Sequence, residues 1–237
     1  MFGFQKAFYW VFLASTVSLA APRLDAQEDD ATRITEEDKK VFKDFMEGAG
    51  DVIKAKRQKA LQAMAISNLR QIGLALFEFE SEYGTFPDEK TAVAVKQATE
   101  TKADLKAATA NDCFFQLIAA GMVGTDRLFS FEVPAGKQNG KPEKLMNLDK
   151  CAFSYLSGMN AAGNPSRPLV VVPLVKGKTT FDPAILGGRA IVLRVDNSVQ
   201  SFPIEKDGRV LIEGLDLFEP AQPFWEGKVP PIRWPKD

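Results

Sequence analysis

SNLRQIGLALFEFESEYGTFP, residues 67–87, decides the fold of this 237-residue chain. Leu61, Ala65, Leu69, Ile72, Leu76, Phe79 and Tyr83 recur at spacings of three and four, which draws one apolar stripe along a helix. Arg70, Gln71, Glu78 and Glu82 fall off that stripe. Such a helix must lie against something. Gly84 follows the last stripe residue as a left-handed C-cap requires, and Pro87 stands where a helix can no longer continue.

The residues themselves also carry a resemblance. Asn68-Leu69-Arg70-Gln71-Ile72-Gly73-Leu74-Ala75-Leu76, followed by Tyr83-Gly84-Thr85-Phe86-Pro87, is similar to the segment after the N-terminal hydrophobic helix of bacterial pseudopilin-like proteins. A second patch, Gly187-Gly188 leading through residues 189–195 to Asp196-Asn197, resembles the glycine-led hairpin near their C-terminus. There the turn usually reads Asp-Gly. Asparagine tolerates the left-handed region better than most residues, so the hairpin is expected to survive the change. The resemblance implies an α+β, pilin-like fold: one long N-terminal helix packed on a mostly antiparallel sheet.

Departures from the family bear on function. A prepilin carries a short basic leader, a Gly-Phe processing site, a glutamate at the fifth mature position and an unbroken apolar helix. Gly3-Phe4 is present, but the fifth residue counted from Phe4 is Phe8. The N-terminus reads instead as a secretory signal, with Lys6 as the positive end, an apolar core over 7–21, and small Ala26 at the cleavage position. That core is short for a span, which needs about 20 residues. Residues 1–26 are thus a signal peptide and 27–34 an acidic lead, and the chain is expected to be periplasmic or extracellular. The alternative is a membrane anchor formed by an uncleaved N-terminus.

Residues 35–87 form the stem region, and 88–237 supply a helix and an antiparallel sheet of the same domain. Thr35-Glu36-Glu37-Asp38 resembles a helix start, and Gly48-Ala49-Gly50 is expected to break or kink the helix before it resumes at Asp51. The Ala-, Thr- and Lys-rich run 88–110 is expected to be helical and exposed. Asn111 or Asp112 is expected to cap a short helix over 113–120. Residues 129–133, 152–156, 169–175, 190–195, 199–204 and 210–212 read as strands. Helices first and strands afterwards imply an α+β domain. The tail places Pro220, Pro223, Pro230, Pro231 and Pro235 among Phe224, Trp225 and Trp234. Such a tail either fits a partner's groove or wraps its own domain and protects an edge strand, and wrapping is the safer reading.

Thirty basic residues balance 31 acidic ones, which argues against nucleic acid as a partner. The stem's most basic run is Lys54, Lys56, Arg57 and Lys59. A solvated helix face is the favoured account of it, and membrane contact is allowed but not required. Cys113 and Cys151 are the only cysteines. In an exported protein a bridge between them is favoured over two buried free thiols.

No histidine occurs. Its absence removes Ser-His-Asp and Cys-His catalysis, the common zinc sites and a histidine base. Gly187-Gly188 opens a strand and not a helix, so no phosphate loop is present. Glu213, Asp216, Glu219 and Glu226 lack the compact spacing that calcium's roughly six to eight oxygens demand. No cofactor, metal site or catalytic residue is expected. The expected function is non-enzymatic: an exported pseudopilin-like structural or interaction protein, linked by resemblance to type II secretion. Its partner would be another protein or a second copy, bound through the stem stripe Leu61, Ala65, Leu69, Ile72, Leu76, Phe79 and Tyr83. The alternative is a soluble ligand-binding module on the same fold, with a pocket on the sheet. A carboxylate enzyme would instead need two inward-facing acids in a cleft.

Overall fold

The computed structural model describes residues 36–131, 148 and 150–236. Residues 1–26, expected to form a signal peptide, and the acidic lead 27–34 lie outside the described residues. The chain divides into two compact units, Met1–Met46 and Glu47–Asp237. Helix α1 spans Glu36–Tyr83. It runs on through Gly48 and Gly50, where the sequence suggested a break. A glycine inside a helix costs only about 1 kcal/mol relative to alanine, and a pair is tolerated within so long a run. Nothing lies within 4 Å of the place where either glycine would carry a Cβ.

The end of α1 is as the sequence specifies. Gly84 takes φ +80°, and its N–H donates to the Glu80 carbonyl at 2.7 Å. The chain then turns through Thr85, whose hydroxyl donates to the Met159 carbonyl at 2.9 Å. Asp88 next caps α2 (Glu89–Thr99), exchanging hydrogen bonds with Thr91 in a capping box. Only the first part of the 88–110 run is therefore helical, and Thr91, Ala92 and Val95 are buried rather than exposed. Helix α3 (Ala110–Ala119) is capped by Thr109, with Asp112 as the reciprocal partner at the third position. Neither Asn111 nor Asp112 is the cap. The Asn111 side chain instead donates to the Leu148 carbonyl and accepts from the Lys236 N–H.

Strands β1 (Ser154–Leu156), β2 (Pro168–Val172), β3 (Arg189–Arg194), β4 (Val199–Pro203) and β7 (Ile232–Arg233) make one sheet in the order β4-β3-β2-β1-β7. Every pairing in it is antiparallel. A two-stranded ribbon joins β5 (Leu211–Ile212) to β6 (Leu215–Asp216). The whole of β2 is buried, which matches its unbroken apolar run: a strand covered on both faces has no reason to alternate. Register is fixed by Val171 opposite both Ser154 and Val192, and by Ile191 opposite Ser201. Phe129 belongs to a 3-10 turn, Asp126–Phe129, and residues 132 and 133 of the expected strand lie outside the described residues. The molecule is α+β, a helical N-terminal half followed by an antiparallel sheet.

The β3–β4 hairpin keeps its form with asparagine in place of glycine. Asn197 sits at φ +62°, its N–H donates to the Arg194 carbonyl at 3.0 Å, and the Arg194 N–H returns to Ser198 at 2.9 Å. The tail lies on its own domain. Ser157 N–H donates to the Pro231 carbonyl and Ala110 N–H to the Trp234 carbonyl, and buried Trp225 donates Nε1–H to the Leu217 carbonyl at 2.7 Å. Prolines 230, 231 and 235 flank β7 and hold it to two residues, since a proline has no N–H to give a ladder.

Candidate functional site

The stem stripe is the first feature to place. Ala65, Leu69, Ile72, Leu76 and Phe79 are wholly buried and share one hydrophobic core with β1–β3, while Leu61 and Tyr83 are partly buried against it. This corrects the sequence expectation. The stripe faces the chain's own core, so a partner or second copy has no access to it. Burial also pushes the Tyr83 phenol above its ordinary pKa, with the neighbouring Glu82 carboxylate adding to the effect.

Contact between stem and hairpin is closest at Gly73. A Cβ there would fall 1.9 Å from Asn197 Oδ1 and 3.1 Å from Leu193 Cδ1. Gly73 is thus required by close approach rather than by its own backbone conformation. The same hairpin holds three buried polar atoms without a hydrogen-bond partner, Arg194 Nε, Asn197 Oδ1 and Ser198 Oγ. The Arg194 guanidinium lies 5.8 Å from the Phe202 ring centroid.

Further hydrogen bonds fasten the stem to the domain. Gln58 Nε2 donates to the Ala184 carbonyl at 3.0 Å, Gln62 Nε2 to the Leu186 carbonyl at 2.7 Å, and Asn68 Nδ2 to the Ser130 carbonyl at 3.0 Å. The Glu80 carboxylate accepts the Ala161 N–H at 2.6 Å. Over residues 50–57 no such hydrogen bond is seen among the described residues. Every residue from 50 to 57 is exposed, with Val52 at 55% and Ile53 at 68% of their full accessibility. Lys54, Lys56, Arg57 and Lys59 are exposed too. Among the described residues none of these four takes part in an ion pair, whereas Lys106 pairs with Asp104, Arg167 with Glu226, Arg209 with Asp207 and Arg233 with Glu89.

The side of the stem turned away from the core has a pattern of its own. Ile53, Arg57, Ala60, Ser67, Gln71, Leu74, Glu78 and Glu82 follow one another at steps of three, four or seven, and all are exposed, so they share one face. Leu74, at 61% accessibility, is the large apolar residue left in water on the upper stem. No acidic residue occurs from Val52 to Phe77, whereas Glu78, Glu80 and Glu82 crowd the last turns. The face is basic at its lower end, carries Ala60, Ser67, Arg70 and Gln71 in its middle and is acidic at its top.

The cysteines are not bridged. Cys113 is buried in α3 with its thiol toward the Ala107 carbonyl, and Cys151 donates to the Phe153 carbonyl at 3.4 Å. Each thiol is turned to a carbonyl of its own neighbourhood. Burial pushes Cys151 up to about 12 and Cys113 higher still, so neither forms a thiolate near neutral pH and neither has the reactivity that a thiolate confers. Of the acids considered for calcium, Glu226 pairs with Arg167 at 2.8 Å and Asp216 accepts the Phe218 N–H. Among the described residues no group of three or more Cys, Asp or Glu side chains converges to hold a metal.

No described helix is long and apolar enough to cross a membrane. Comparison with protein-family models, with curated proteins and with solved structures gives no match.

Proposed function

We propose that this chain is an exported, non-enzymatic, pseudopilin-like protein of the bacterial envelope, acting as a structural or interaction component, with type II secretion the assembly its resemblance suggests. The observation that carries this reading is the stem itself. Its stripe is spent on the chain's own sheet up to the Gly84 stop, while residues 50–57 and the outer face stay in water, with no ion-pair partner among the described residues. A helix that stays solvent-facing over residues 50–57 beyond its own core is suited to contact. The surface in question is the outer face and lower stem, not the buried stripe. An α+β body with a glycine-led β3–β4 hairpin docked on the stem at Gly73 is consistent with a pilin-like shape.

Cell fractionation with N-terminal sequencing tests the reading. The expected product is soluble in the periplasmic or extracellular fraction, with its N-terminus near Gln27. An intact, carbonate-resistant membrane protein beginning at Met1 or Phe4 would contradict export in soluble form and favour a filament-type subunit.

A further inference from the structure

The outer stem face is self-complementary when two copies are set antiparallel. Arg57 and Glu78 lie on it at equal distances in sequence from the step between Ser67 and Asn68, about 16 Å along the axis on either side. A two-fold axis at that step therefore brings Lys56 and Arg57 of one copy to Glu78 and Glu82 of the other, and does so twice. The same axis carries Leu74 over Ala60 of the second copy, sets Ala63 beside Gln71 and brings Ser67 to the centre, with the exposed Arg70 of each copy flanking it.

We propose that the chain forms an antiparallel two-fold homodimer through the outer face of its stem, residues 53–82. This deepens the reading above and rests on its choice of the free stem surface. Three observations carry it. The basic and acidic ends have no ion-pair partner within the described chain. The apolar side chain left exposed at the upper stem, Leu74, faces small residues under this axis. Asp51, the acid nearest the basic run, falls on the opposite side of the helix, where it does not oppose the pairing. Two-fold closure also uses both charged ends at once, whereas a staggered parallel contact leaves an open end on every copy.

The test is the mass of the full chain in solution by sedimentation, across concentration and salt. A dimer is expected, at least tenfold weaker in Glu78→Lys/Glu82→Lys and in Lys56→Glu/Arg57→Glu, with unchanged circular dichroism and melting in both. An equimolar mixture of the two variants should recover the dimer, because each supplies the sign that the other has lost. Raising the salt should loosen the wild-type dimer, since exposed charges are screened beyond about 8 Å at physiological ionic strength. Four outcomes would overturn the proposal: a wild-type monomer at every concentration, open chains growing beyond two copies, variants that stay dimeric, or a mixture that does not recover. So would a wild-type monomer that binds anionic phosphatidylglycerol vesicles through Lys56 and Arg57. Each can occur in a chain that fractionation shows to be exported, so failure of the dimer and failure of the export reading remain distinct.

Discussion

The upper and lower parts of the stem belong to one helix and are held by different forces. From Ala65 to Phe79 the inner face is wholly buried, Gly73 lets the β3–β4 hairpin approach, and side-chain amides of the stem reach loop carbonyls. From 50 to 57 every side chain is in water, so helical hydrogen bonds and propensity alone keep the backbone in shape. Isolated helices shorter than about 12–15 residues are marginal in water. The lower stem therefore depends on the upper stem as its nucleus. A fixed upper part carrying a free lower part suits an element that meets something outside its own domain.

Substitutions that treat the two parts alike would break this comparison. Phe79→Ala removes a large, wholly buried ring that lies tilted against Tyr83 at 4.6 Å between centroids, and should cost about 3–5 kcal/mol in urea unfolding. Ile53→Ala, made under conditions where the chain is monomeric, should stay within about 0.5 kcal/mol. Equal losses would mean that the lower stem is packed after all. Gly73→Ala should cost about 1–3 kcal/mol by overpacking against Asn197. Asn197→Gly keeps the positive φ of that turn residue and removes the obstructing amide, so the double variant should regain most of the loss. Additive losses in that cycle would show that the hairpin is not what Gly73 accommodates. Gly50→Ala, with open space around it, should instead raise helicity and stabilise the lower stem by up to about 1 kcal/mol. A loss there would point to an unrecognised contact.

Periodicity made the stem visible in the sequence, because a stripe at steps of three and four admits one folded solution and Gly84-Thr85-Phe86-Pro87 closes it. The β-branched runs of β2 and β3 were equally clear. What escaped was set by context. Prolines on both sides disguised β7, and its pairing with β1 depends on a tail whose fold-back has no local signal. The continuity of α1 through Gly48 and Gly50 escaped because two small propensity costs look like a stop when the rest of the helix is not counted. Thr109, Asn111 and Asp112 are all good capping residues, and only the structure shows that Thr109 takes the cap. Periodicity alone marks the stripe as something that must be covered and has no means of telling a helix's own sheet from a partner. The outer face is the reverse case: its residues are all in the sequence, yet only burial of the opposite side shows that they remain free. The expected disulfide rested on compartment, and the separate carbonyl partners of Cys113 and Cys151 carry no sequence signature.

Hydrogen exchange along the stem, at a dilution and salt where the chain is monomeric, tests the central claim most directly. Amides over 69–79 should exchange only through global unfolding, and those over 51–57 orders of magnitude faster, through local opening. Uniform protection along the whole stem in the monomer would contradict the division into a packed upper part and a free lower part.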